Sequence, residues 1–313
     1  MKPSFVISIL VWLILPRIYA AEGAAPPASF TYILQADAFS KTKAGAVARL
    51  AGCGRDWIVL DAAFSDDTPW QRTDLDVIRD GRDRRKIIAY ISIGEAEDYR
   101  PYWRKAWGSR GHLFANAPAW LGAENPDWHG NYRVNYWDRD WQALLLPAID
   151  AAMECGFDGI YLDIVDGFET FEAEGDDSID NRINPATKQS YRRDMVDWVK
   201  VIAARARARN PAALVIPQNG AQLLLHDDYL TTISGIGIED LFTNGNKPQS
   251  QSHTREVVNY TRLLGEGKKP VLLIEYPKKE PLQSAVKQRS KELGMTCLIT
   301  DRSLKTLGIS GEN

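Results

Sequence analysis

Short apolar runs recur along the chain, and most are separated by stretches with helical spacing. They occupy residues 31–36, 57–62, 86–93, 159–164, 214–217, 235–238, 271–275 and 296–300. Several are rich in Ile, Val and Leu with little alternation, the pattern of parallel strands covered on both faces. Between them, a helix expected over 144–155 ends at Gly156, a residue suited to a helix C-terminus. Asn184-Pro185 offers a cap residue and a first-turn proline for a helix over 184–209. That helix stops at Asn210-Pro211, because proline disfavours helical geometry in the residue before it. Residues 253–266 and 281–293 also read as helices, each followed by glycine. Eight strands alternating with helices over about 280 residues predict the α/β class and a single (β/α)8 TIM-type barrel. An open doubly wound sheet would put a glycine-rich phosphate turn after the first strand, where this chain has Gln35-Ala36-Asp37-Ala38.

Two loops are longer than a barrel requires. Residues 98–140 carry Tyr99, Tyr102, Trp103, Trp107, Trp120, Trp128, Tyr132, Tyr136 and Trp137. Residues 168–181 are acidic, with Glu169, Glu172, Glu174, Asp176, Asp177 and Asp180. Both are expected at the C-terminal face of the barrel, where active sites of this architecture lie. Tryptophan and tyrosine stack on the apolar faces of sugar rings. Equally, they anchor long loops by burying large areas.

The N-terminus modifies the domain picture. Lys2 precedes an apolar run of 12 residues from Phe5 to Pro16, with Ala20 and Ala21 following. This reads as a secretory signal over 1–20 and a small, Pro-rich, flexible leader over 21–29, with one domain over 30–313. Secretion or periplasmic export follows, with no stable membrane insertion after cleavage. Loss of Lys2 and Arg17 takes the 38 basic residues to 36 against 41 acidic ones, a net charge of −5. No basic patch stands out, which argues against a nucleic-acid partner. A cationic ligand is compatible with the charge. Cys53, Cys155 and Cys297 are too few and too widely spaced for a disulfide scaffold, leaving one bridge or buried thiols open. His112, His129, His226 and His253 are scattered without zinc-type spacing, and no cofactor or metal is expected.

The ends of the apolar runs carry the candidate chemistry. They present, in order, Asp37; Asp61; Glu95 and Glu97; Asp163 and Asp166; Gln218 and Asn219; Glu239 and Asp240; Glu275-Tyr276; and Asp301-Arg302. In a barrel these groups converge on one mouth. Crowded, desolvated carboxylates have pKa values driven apart, so one is protonated while another is ionised. Glycoside hydrolysis uses such a pair. Asp163 taken alone reads as well as a helix cap.

The segments Tyr90-Ile91-Ser92-Ile93-Gly94-Glu95-Ala96-Glu97-Asp98-Tyr99-Arg100 and Gly156-Phe157-Asp158-Gly159-Ile160-Tyr161-Leu162-Asp163 resemble signatures of glycoside hydrolase family 114. Val134-Asn135-Tyr136-Trp137, Pro217-Gln218-Asn219-Gly220 and Gly237-Ile238-Glu239 look like further blocks of it, in the expected order. The resemblance implies a secreted or periplasmic barrel and an endo-α-1,4-polygalactosaminidase-like activity on galactosamine or N-acetylgalactosamine polymers. It places the catalytic pair on Asp163, as nucleophile, and Glu239, as general acid/base. The carboxyl separation decides retaining or inverting chemistry. Substrate contacts are then expected from Asp37, Asp61, Glu95 and Asp166. Gln218, Asn219, Tyr136 and Trp137 are expected to join them, with Tyr99 and Arg100 orienting Glu95 or its loop. The partner it implies is a polysaccharide or oligosaccharide, with a cationic amino-sugar polymer as one such substrate. Two other readings stay open: a non-catalytic carbohydrate-binding barrel, and a divalent-metal hydrolase built on Asp163, Asp166 and Glu95.

Overall fold

The structure is a computed structural model, described for residues 25–80, 82, 84–175, 177–265 and 269–310. The expected signal segment lies outside the described residues. Residues 27–29, assigned to the leader by sequence, are tied to the barrel: Pro27 O accepts from Thr296 Oγ1 at 2.8 Å, and Ala28 N donates to Asp56 Oδ2 at 2.8 Å.

All eight expected strands form. They are β1 (Phe30–Ile33), β2 (Trp57–Asp61), β3 (Lys86–Ser92) and β4 (Gly159–Asp163), then β5 (Leu214–Pro217), β6 (Ile236–Glu239), β7 (Val271–Glu275) and β8 (Thr296–Ile299). β1 to β5 form one parallel sheet in sequential order, and β6, β7 and β8 a second. A parallel bridge from Gln218 to Gly237 joins them. β8 is followed by a return strand, Ile309–Ser310, antiparallel to it. The segment 304–310 reaches β1 through Leu34 N to Leu304 O, Thr31 Oγ1 to Leu307 O and Phe30 N to Ser310 Oγ. The last parallel strand thus leads into a strap between β8 and β1.

The strands are buried on both faces, which explains their unbroken apolar character. Alternate residues point into the barrel, where Phe30, Tyr32, Val59, Ile88, Tyr161, Ile216, Leu272, Ile274 and Leu298 form one cluster. Their neighbours, among them Ile33, Leu60, Ala89, Leu162, Val215, Ile238 and Leu273, pack with the helices in a larger one. The parity that turns Tyr161 inward turns Asp163 inward two residues later, above the apolar plug.

The longer helices are α1 (Lys43–Ala51), α2 (Arg72–Arg79), α3 (Arg139–Cys155), α4 (Tyr191–Arg209), α5 (Gln251–Thr261) and α6 (Glu280–Glu292). α3 ends at Gly156, whose φ of 103° belongs to the left-handed region. α4 starts later than its sequence suggests. Ser190 caps it, accepting from Arg193 N, while Asn184 folds into a buried turn and donates to Asp194 Oδ2 at 2.7 Å. Proline 185 therefore sits in the turn before the helix rather than in its first turn. All three cysteine thiols are free.

The aromatic insertion is itself a small fold. Glu95–Glu97, Asn131–Val134 and Leu121–Glu124 make a three-stranded antiparallel sheet. Its aromatic residues interlock edge to face: Trp103 on Trp107, Trp107 on Trp120, and Tyr102 on Trp141 of α3. Trp141 and Trp198 both donate an indole N–H to Ile93 O, fixing the end of β3. Most of the aromatic loop is therefore anchorage.

Candidate active site

Three consecutive strands end in the same unusual way. The residues that follow β4 and β6 and the last one of the β5 ending, Ile164, Asp240 and Asn219, take φ of 55°, 52° and 58°. A β-branched residue such as Ile164 is strained there, at roughly 1–3 kcal/mol. Gly94 accommodates the bend, since a Cβ at that position would lie 2.2 Å from Ile164 O. The kinks release the chain sideways and leave Asp163, Gln218 and Glu239 at the barrel mouth.

Asp163 is half-buried. Its Oδ2 accepts from Tyr90 OH at 2.6 Å and its Oδ1 from Ile164 N at 2.8 Å. Burial raises its pKa to about 6; those two hydrogen bonds pull it back, and Glu97 and Glu95 push it up. Glu239 accepts from Tyr276 OH and, at 2.7 Å, from Gln218 Nε2. Burial raises its pKa further, to about 8, with the Asp163 charge as the next cause and Tyr276 opposing. Asn219 Oδ1 accepts from Glu239 N at 3.1 Å. Around Glu239, the buried atoms Gln218 Oε1, Asp240 Oδ1 and Tyr161 OH have no partner among the described residues. Unmet polar atoms in a core are uncommon and cluster where ligands or water bind.

A second carboxylate pair shares the mouth. Asp61 and Glu97 are both buried and both bound by Arg100, which meets Asp61 Oδ1 at 2.9 Å and Oδ2 at 2.8 Å, and Glu97 Oε2 at 2.5 Å. Burial alone would lower the Arg100 pKa, but Glu97 and Asp61 outweigh it and raise it. Tyr99 OH also donates to Glu97, at 2.7 Å.

Two cavities flank the catalytic candidates. One of about 620 Å³ is lined by Asp163 together with Tyr90, Asp61, Glu97 and Arg302, and reaches outward to exposed Asp37. The other, of about 350 Å³, is lined by Glu239 with Asp166, Glu169, Asn219 and Asp240. Burial, then Glu169 and Asp163, hold the Asp166 carboxyl well above the usual range.

The expected site residues thus divide. Asp163, Glu239, Gln218, Asn219, Asp166, Asp61, Tyr99, Arg100 and Asp37 gather at the mouth. Glu95 is turned away: it is buried, its oxygens accept from Asn125 Nδ2 at 2.8 Å and Asn131 Nδ2 at 3.3 Å, and burial raises its pKa. Arg100 orients Glu97 and Asp61, not Glu95. Tyr136 is buried and donates to Tyr191 O at 2.8 Å, while Trp137 packs on Phe171 and Tyr191. Both lie outside the two cavities, because the turn into α3 carries them under the acidic loop. No group of three or more His, Cys, Asp or Glu that could hold a metal ion occurs among the described residues, Asp163, Asp166 and Glu95 included. Tyr90, Tyr276 and Arg302 are additional site residues. Strand parity points to the tyrosines, at inward positions of β3 and just past β7. Arg302 pairs with Asp240 Oδ2 at 2.6 Å and lies 4.4 Å over the Tyr276 ring.

The model of a family described as Glycoside-hydrolase family GH114 matches residues 20–312. An uncharacterized protein of Deinococcus radiodurans is 37% identical over 251 residues, covering 80% of this chain and 74% of the relative. One from Thermotoga maritima is 38% identical over 191 residues, covering 60% and 54%. The glycoside hydrolase domain of PelA from Pseudomonas aeruginosa superposes with a TM-score of 0.62 at 17% identity, covering 91% of this chain and 98% of that domain. Aspergillus fumigatus Ega3, solved in complex with galactosamine, gives 0.61 at 16%, covering 91% and 94%. At that identity the two structures speak for the fold. Among the described residues, no helix is long and apolar enough to cross a membrane.

Proposed function

The chain belongs to glycoside hydrolase family 114, and from that membership we propose that it is an exported, endo-acting hydrolase of α-1,4-linked galactosamine or N-acetylgalactosamine polymers. The observation that carries the proposal is the pair at the ends of β4 and β6, one carboxyl raised to about 6 and the other to about 8. Near neutral pH, Asp163 is ionised and Glu239 protonated. Glu239 then donates its proton to the glycosidic oxygen while Asp163 acts at the anomeric carbon as nucleophile, with Glu239 afterwards taking a proton from water.

Internal cleavage is supported by the two cavities, since a chain laid across both has its linkage between Asp163 and Glu239. The amino-sugar preference is supported by Asp37 and by the Asp61–Glu97 pair, two carboxylates to the one Arg100 cation, in the cavity beside Asp163, and by the galactosamine bound to the Ega3 structure. An ammonium group on a deacetylated sugar is attracted to such a site. Export rests on the apolar run from Phe5 to Pro16, and N-terminal sequencing of the mature protein should begin near Ala21.

The test is incubation of purified protein with polygalactosamine, its N-acetylated form and a panel of other glycans. Release of short oligosaccharides from the amino-sugar polymers is expected. An inert wild type on all of them removes the substrate assignment, and binding without turnover favours a carbohydrate-binding barrel. Proton NMR of the first-formed anomer then separates retention, expected for a nucleophilic Asp163, from inversion.

A further inference from the structure

Trp128 stands apart from every other described tryptophan. The others are buried or half-buried, whereas Trp128 is 52% exposed, and no described aromatic ring pairs with it. It lies at the tip of the insertion's turn and lines the same cavity as Asp163. A single exposed aromatic residue is ordinary on a protein surface. What distinguishes this one is the support beneath it.

The turn is closed at both ends by one buried carboxylate. Glu95 is only 3% exposed, and its two oxygens accept from Asn125 and Asn131, on either side of Trp128. Asn125 is locked in that orientation by its own carbonyl oxygen, which accepts from Asp127 N at 3.0 Å. Backbone bonds from Trp128 N to Asn125 O and from Asn131 N to Trp128 O complete the brace. Burying a carboxyl with only neutral donors is costly, and here that cost holds an exposed indole at the rim of a polar cavity. Tyr99, 45% exposed, lines the same rim.

We propose that Trp128 is a stacking platform for a sugar ring of the bound chain, remote from the cleaved bond, and that Glu95 is the positioning residue that fixes it. The occupant is a pyranose with an apolar face turned to the indole, since ring stacking needs a π surface and no charge. This rests on the glycosidase reading above and adds a subsite to it. A platform away from the reacting bond contributes to binding more than to chemistry, so its loss appears in KM rather than kcat.

The experiment compares Trp128→Ala, Trp128→Phe and Glu95→Gln, alone and combined, on the polymer that wild type cleaves. Trp128→Ala should raise KM about tenfold with kcat within about twofold, and Trp128→Phe should keep KM within about threefold. Glu95→Gln turns an amide N–H toward one asparagine donor and should raise KM in the same direction. Added to Trp128→Ala it should do nothing more, because both act through one contact. In parallel, Asp163→Asn is titrated with the panel glycans by indole fluorescence, with and without Trp128→Phe. Unchanged KM in Trp128→Ala, with wild-type turnover intact, overturns the platform and leaves the glycosidase reading standing. Additive effects of Glu95→Gln and Trp128→Ala overturn the positioning role. No cleavage of amino-sugar polymers, with Trp128-dependent binding of another glycan, overturns the substrate and keeps the platform. A protein that binds no glycan loses both.

Discussion

The barrel mouth holds two carboxylate pairs, Asp163 with Glu239 and Asp61 with Glu97, and they are treated in opposite ways. Arg100 reaches both members of the second pair, so their charges are matched by a fixed cation. The first pair receives only hydroxyl and amide donors, from Tyr90, Tyr276, Gln218 and the Ile164 amide. Neutral donors orient a carboxyl without settling its charge, and burial then drives it toward the protonated form. Identical side chains at one barrel mouth therefore have different work. One pair builds the wall, and the other is left able to exchange protons.

The sharpest way to break this contrast is to remove the negotiable pair. Asp163→Asn and Glu239→Gln should each lower kcat by roughly 10³-fold or more, since acid–base and nucleophilic roles are worth that much. Both should leave the unfolding midpoint unchanged or higher, because each removes a half-buried carboxyl raised above its unfolded pKa. Activity assays and urea unfolding check the two halves.

Removing the fixed cation should do the reverse. Arg100→Met leaves Asp61 and Glu97 buried without a cation, with only neutral donors from Ala63 N and Tyr99 OH, and should cost about 3–5 kcal/mol in urea unfolding. A stable Arg100→Met protein would show that the wall does not depend on the ion pairs. The smallest effect is a shift in pH dependence. Tyr90→Phe and Tyr276→Phe each remove a donor that favours the charged carboxylate, so the acid limb moves up in the first and the alkaline limb moves up in the second. Each movement should be about one to two pH units, the worth of one hydrogen bond to a charged group. Movement of either limb downward contradicts the assignment of donors.

Much of this was legible in the chain. The eight strands were marked by unbroken apolar runs, and the acids at their ends marked the mouth. Asp163 and Glu239 were singled out among those acids by the resemblance to glycoside hydrolase family 114, not by spacing alone. The failures are local. Glu95 and Glu97 lie two apart on one strand, so no spacing rule separates them; which one meets Arg100 depends on how the insertion sheet folds back. Tyr136 and Trp137 precede α3, and tertiary packing rather than sequence proximity carries them under the acidic loop. Pro185 suggested a helix start that Ser190 provides instead, because the buried bond of Asn184 to Asp194 uses the intervening turn. Trp128 looked like its aromatic neighbours, and only its exposure distinguishes it.

On the proposed reading, Asp163 and Glu239 share the proton inventory of the reaction. The most direct test is the pH dependence of kcat/KM on the cleaved polymer, with the substrate's amine titration measured separately. The rate should follow a bell whose limbs lie near the values of the pair, about 6 and about 8. The residual activity of Glu239→Gln should keep the acid limb and lose the alkaline one. A Glu239→Gln profile that retains the alkaline limb, or a wild-type rate still rising above it, would contradict the claim.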